Sequence, residues 1–305
     1  MAVDPPAGVC LSDGTALVTA TPAPGWAFLQ WLGDSAGRNP VASVHMSRNK
    51  RGQAVFGAAL SNTVVGSGPA VISPEGEWYP YGKIVRLTPQ PFAGNCFALW
   101  GNAASGTNTP LSFTVANANP TVTAVFAALP ANRHTLTVVA DGFGQVNASP
   151  FANHYGTGTN VTLTALPDAG QSLVSWSGDA SGTQNPLTLV VNSSKVITAQ
   201  FTRRPRLALI PGGGVPNGEE FQLLLTGEFG RRYFIEATTN LAPAVPAWEP
   251  VATLTNVFGS VQFNDPLVTN RTQRFHRAVE APQLTVDPAA RWSNGPAAIT
   301  ATLRL

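Results

Sequence analysis

Gly170-Gln-Ser-Leu-Val-Ser-Trp176-Ser-Gly-Asp179-Ala-Ser-Gly182-Thr-Gln-Asn185-Pro186 decides how this chain is read. Residues 172–176 form a short strand-like run that ends on an aromatic ring. The Gly, Asp and Asn that follow tolerate positive φ, and Pro fixes its own, so a tight loop comes next. The pattern occurs twice more. One copy is Gly25-Trp-Ala-Phe-Leu-Gln-Trp31-Leu-Gly-Asp34-Ser-Ala-Gly37-Arg-Asn39-Pro40, and the other is Gly94-Asn-Cys-Phe-Ala-Leu-Trp100-Gly-Asn102-Ala-Ala-Ser-Gly106-Thr-Asn-Thr-Pro110. Each copy then closes on a strand ending in Phe: Ala54-Val-Phe56, Ala124-Val-Phe126 and Ala199-Gln-Phe201. The tryptophans are 69 and 76 residues apart and the closing phenylalanines 70 and 75. Two markers keeping one period identify a tandem repeat.

Outward from the third copy, residues 135–140, 161–166, 187–191 and 196–201 alternate apolar and polar side chains between Gly, Pro and Asn turns. That period of two marks half-buried strands. The second copy opens with a leading strand and Gly-rich turn over 62–73; the first has no counterpart. The chain is therefore expected to start inside a repeat, as a fragment of a longer protein would. Residues 206–281 lack the pattern. Short strands at 207–210, 221–225, 233–237, 251–254, 261–263 and 274–279 read as a β-sandwich. A tail follows, with one further strand candidate at 299–303. The expected division is 1–57, 58–130 and 131–203 for the three repeats, 204–281 for the sandwich-like module and 282–305 for the tail.

Composition agrees with an all-β chain carrying at most minor helical turns. Gly (29) and Pro (26) make 55 of 305 residues, above the roughly 12% of average usage, and both interrupt helices. Charged residues are 11%, against about 25% in an ordinary domain, and the net charge is +2. No part is basic enough to grip phosphates without sequence preference, so no nucleic-acid partner is expected. The cluster Arg203, Arg204, Arg206 reads as a solvated linker. No apolar run reaches the roughly 18 residues of a membrane-spanning helix, and no secretory signal is visible at the N-terminus. Two cysteines, Cys10 and Cys96, are too few for a disulfide scaffold or a cysteine metal cluster.

The Gly-x5-Trp-x-Gly-Asp-x-x-Gly-x-x-Asn-Pro run, the preceding Val-Thr-Leu-Thr-Ala-x-Pro strand and the closing Thr-Ala-x-Phe are similar to the divergent internalin-B-type bacterial repeat, over roughly residues 1–203. The second copy departs by Gly101-Asn102. Gly230-Arg-Arg-Tyr-Phe-Ile-Glu236 through Trp248, Gly259, Asp265-Pro266 and Arg274-Phe-His-Arg277 resembles the C-terminal module of large secreted proteins of Verrucomicrobia-like bacteria. The resemblance implies small β-grasp-like domains in tandem in a secreted or cell-surface stalk, a spacer or adhesive arm. A surface polysaccharide or a protein would be the partner. It brings no catalytic residues.

Several motifs carry a chemical reading beside a structural one. Gly33-Asp34-Ser35-Ala36-Gly37 matches the nucleophile elbow of α/β-hydrolases and would make the chain a hydrolase of small esters or lactones, metal-assisted through the Asp-rich turns and histidines. The sibling loops lack the serine, and Arg38-Asn39-Pro40 breaks the helix an elbow needs. Pro211-Gly-Gly-Gly214 as an oxyanion loop is discounted. His45, His134, His154 and His276 show no metal-ligand spacing; His134 and His154 could meet, with Asp141 or Asp168 as a carboxylate partner. Asp34, Asp179, Asn39 and Asn185 read first as turn stabilisers and second as oxygens for Ca²⁺. Trp31, Trp100 and Trp176 read first as core anchors and second as a sugar-stacking platform. No catalytic or cofactor-binding residue is assigned, and the metal question stays open.

Overall fold

The computed structural model describes residues 2–4, 14–47, 50–210, 221–242, 246–265 and 273–282. The described residues contain strands and no helix. The oxyanion-loop candidate at 211–214, Cys10, and the tail strand at 299–303 lie outside them.

The first copy contains β1 (Ala2–Asp4), β2 (Thr15–Thr19), β3 (Ala27–Gly33), β4 (Val41–His45) and β5 (Gly52–Ala58). The second contains β6 (Ser61–Val65), β7 (Ala70–Ser73), β8 (Tyr79–Pro80), β9 (Ile84–Pro89), β10 (Asn95–Asn102), β11 (Leu111–Thr114) and β12 (Thr121–Ala128). The third contains β13 (Arg133–His134), β14 (Leu136–Asp141), β15 (Gly144–Ser149), β16 (Tyr155–Gly156), β17 (Thr159–Pro167), β18 (Leu173–Gly178), β19 (Leu187–Val191) and β20 (Lys195–Phe201). In copies two and three the closing strand is central. It runs antiparallel to the Trp strand on one side and parallel to the leading strand on the other, in the orders β10-β12-β6 and β18-β20-β14. This parallel pair is the β-grasp-like element. The crossover between its strands supplies a second antiparallel sheet, β7-β9-β11 or β15-β17-β19.

Each of these copies buries its apolar alternation between its two sheets. The third core joins Val161 and Leu163 of β17 to Trp176, Ile197, Ala199 and Phe201. The second repeats it with Val85, Leu87, Trp100, Val122, Ala124 and Phe126. The first copy is thinner, with Gly52 where the others hold Val122 and Ile197 and Ala16 where they hold Val85 and Val161.

The last module is two antiparallel three-stranded sheets. One is β21 (Arg206–Leu209), β22 (Phe221–Thr226) and β25 (Ser260–Asp265); the other is β24 (Glu249–Asn256), β23 (Arg231–Thr238) and β26 (Phe275–Glu280). Leu223, Leu225, Tyr233, Ile235 and Phe263 fill the space between them.

Candidate functional site

The repeated loop after each Trp strand is a closed lasso. Trp31, Trp100 and Trp176 are each 2% exposed. Their backbone N–H groups donate to Gly37, Gly106 and Gly182 at 2.7, 2.8 and 2.8 Å. Their indole N–H groups donate to the carbonyls of Asn39, Asn108 and Gln184 at 3.0, 2.8 and 2.7 Å. A buried indole needs such a partner, and each loop supplies it eight residues on. The rings are therefore core anchors and cannot form a sugar platform.

The loop carboxylates are engaged in the same way. Asp34 accepts the backbone N–H of Arg51, and Asp179 that of Val196, both at 2.7 Å. Asn185 pairs with both backbone groups of Ala165, at 2.9 and 2.8 Å, and Asn39 accepts from the Val41 N–H at 3.0 Å. These are turn-holding roles. In the second copy Asn102, at φ 62°, takes the place of Gly33 and Gly178, at 83° and 86°, so Ala103 stands where the others have Asp. Its N–H still donates to Thr121, as those of Asp34 and Asp179 donate to Arg51 and Val196.

Ser35 is 5% exposed, and its hydroxyl has no hydrogen-bond partner among the described residues. The sibling positions hold Ala104 and Ala180, which pack against their cores. A Cβ on Gly52 would meet Ser35 Oγ at 2.4 Å. Ser35 thus fills the space that a larger side chain at position 52 occupies in the other copies, and its buried hydroxyl is turned toward Gly52.

Register sets His134 opposite Tyr155, the neighbour of His154 in sequence. His134 Nε2 meets Thr157 Oγ1 at 2.9 Å, and His154 Nδ1 is buried without a partner among the described residues. No group of three or more His, Cys, Asp or Glu arranged to hold a metal occurs among the described residues. Cys96 is a buried free thiol whose pKa burial pushes up.

A second lasso escaped the sequence reading. Tyr79 and Tyr155 donate their hydroxyls to the carbonyls of Pro74 and Pro150, at 3.0 and 3.1 Å. Burial pushes both phenols up, against a backbone hydrogen bond from Gly76 or Ala152 that lowers them. Ser-Pro-x4-Tyr-x-x-Gly, at 73–82 and again at 149–158, was the available signal. Tyr79 lies on the seam between the first two copies, whereas Tyr155 pairs with a strand of its own copy. Ala58 pairs with Tyr79 and Gly57 with Pro80; His134 pairs with Tyr155 and Arg133 with Gly156.

Polar contacts join the copies and the last module. Arg86 donates to Gly144 O, and Asn153 to Ala98 O at 3.3 Å. Arg203 is a clamp and not a free linker residue: it bridges Asp141 and Glu228, while Arg204 and Arg206 are exposed. Gln262 pairs with both backbone groups of Gly33, at 2.7 and 3.0 Å. Lys83 lies 5.2 Å over the Phe229 ring; burial lowers its pKa, and Arg86 adds to this. Within the last module Asp265 is fully buried, forms an ion pair with Arg274, whose Nε lies 2.9 Å away, and is hydrogen-bonded to His276 Nε2 at 2.7 Å.

The model of the divergent InlB B-repeat domain family matches residues 6–59, 61–130 and 134–205. No curated protein and no solved structure matches the chain.

Proposed function

Taking as premise that the chain belongs to the divergent InlB B-repeat family, we propose that it is a non-catalytic arm of a secreted or cell-surface protein, a spacer or adhesive segment that holds other modules at a distance. One observation carries this reading. The residues most able to do chemistry in the repeated motif are spent on holding it: indole N–H groups on loop carbonyls, and carboxylates on backbone amides. Ser35, the nucleophile candidate of the repeated loop, is buried. Backbone pairing joins the first two copies, and side-chain contacts to backbone carbonyls join the second and third, which suits an element that bears load. Among the described residues no helix is long and apolar enough to cross a membrane.

Pulling the full chain by its ends tests the mechanical part. Each repeat should unfold separately and release about 25 nm, from about 3.5 Å for each of some 70 residues. A featureless extension would refute it. Protease treatment of intact source cells tests the location: cleavage of this protein while cytosolic markers survive is expected, and full protection would place it inside. Turnover of an ester or lactone panel that disappears in Ser35→Ala would overturn the non-catalytic reading.

A further inference from the structure

The last module touches all three repeats, through contacts of two kinds. Phe229 packs against the core of the second copy, 5.8 Å from the Tyr79 ring, and Arg203 ties Glu228 to Asp141 of the third. The contact with the first copy is largely polar and covers its lasso. Gln262 takes both backbone groups of Gly33, Gln30 Nε2 donates to the Ser260 carbonyl at 3.2 Å, and the Arg38 guanidinium lies 5.6 Å over the Phe258 ring. Leu32 shares the wall of a hollow beside Gln53 with Leu209 and Leu224. Gly33 and Gln30 are buried as a result, whereas the equivalent Asn102, Gly178 and Leu99 are exposed.

The side chains that make this contact stand where the first copy breaks the repeat. Gln30 replaces Leu99 and Ser175, Leu32 replaces Gly101 and Ser177, and Arg38 replaces Thr107 and Thr183. A role in every repeat would hold these positions alike, and a role in one copy frees them to change together. We propose that Gln30, Leu32 and Arg38 are a docking surface built into the first copy alone, that its partner is the segment Phe258–Gln262 of this chain's own last module, and that the contact is a latch that opens while both units stay folded. Side-chain amides and an exposed guanidinium exchange their partners for water at little cost, so such an interface parts more readily than a packed one. Phe229, seated against the second core, keeps the last module in place. Opening leaves the two-residue pairing of Gly57 and Ala58 to hold the first copy to the second, and bares the Gly33 lasso as its siblings are bared.

Amide exchange in the full chain reads the latch at Gly33, whose N–H is held by Gln262, against Trp31, whose N–H is held within the first copy by Gly37. In the unmodified chain Gly33 should exchange about tenfold or more faster than Trp31, at a rate that urea below the unfolding transition hardly changes, because opening exposes little surface. The triple substitution Gln30→Ser, Leu32→Ser, Arg38→Thr gives the first copy the residues of the third. It should speed Gly33 by about another tenfold, leave Trp31 and Trp176 unchanged, and raise the radius of gyration in X-ray scattering. Exchange at Gly33 that follows Trp31 through the urea series would mean that the contact is lost only when the copy unfolds, and overturns the latch. Unchanged exchange at Gly33 in the folded triple variant overturns the docking surface. If the variant does not fold, the urea series on the unmodified chain decides alone.

Discussion

The indole nitrogen of Trp176 and the carbonyl oxygen of Gln184 lie 2.7 Å apart, and the same eight-residue closure recurs at Trp31 and Trp100. Each ring is both the largest apolar contribution to its core and the post around which the loop is tied. Trp176→Ala should cost about 3–5 kcal/mol by opening a cavity. Trp176→Phe should cost about 2 kcal/mol, through the orphaned carbonyl and the smaller ring. Urea unfolding of the full chain, with the third copy followed by amide exchange, measures both.

Ser35→Ala should raise stability by about 1 kcal/mol, because it removes a buried hydroxyl without a partner and restores the residue the sibling loops carry. A thermal melt of the variant checks this. A loss of stability would mean that the hydroxyl has a bonding role.

Gly142 and Gly182 have nearly the same φ, 100° and 102°, but only Gly142 has a carbonyl against its missing Cβ. Gly182→Ala should therefore cost about 1 kcal/mol, from backbone strain alone. Gly142→Ala should cost about 3 kcal/mol, since the Phe201 backbone must also move. Paired chemical denaturation curves separate the two.

Burial is the first cause that raises the phenols of Tyr79, Tyr155 and Tyr233. A raised folded pKa means that the unfolded chain loses its proton first. The contribution is whole below the ordinary tyrosine value of about 10 and is lost as pH rises through the folded values. Phenolate absorbance should lag behind that of free tyrosine, and the unfolding midpoint should fall above about pH 10.

Asp265→Ala should cost about 3–5 kcal/mol, because Arg274, whose side chain is 5% exposed, would lose its carboxylate. Residues of the last module should lose exchange protection first.

The period was legible because Trp and Phe are rare, large and required at one place in each core. β15 was not, since Gly144–Ser149 offers only Val146 and Ala148 as apolar alternates, too weak a signal to separate from the turn before it. The hollows beside Gln53 were not legible either, because walls from Tyr81 and Leu209 come from distant sequence. Contacts such as Gln262 with Gly33 and Asp265 with Arg274 join polar residues whose spacing carries no periodicity. Arg203 looked solvated for the same reason: a charge in sequence does not show whether an acid lies across the interface.

Because Tyr79 stitches the second copy to the end of the first, the unit that folds there is offset from the unit that repeats. At that junction a gain or loss of one whole period keeps the stitch. A deletion of part of a period there would leave Gly57 and Ala58 without Tyr79 and Pro80, so the first two copies would come apart at their shared edge.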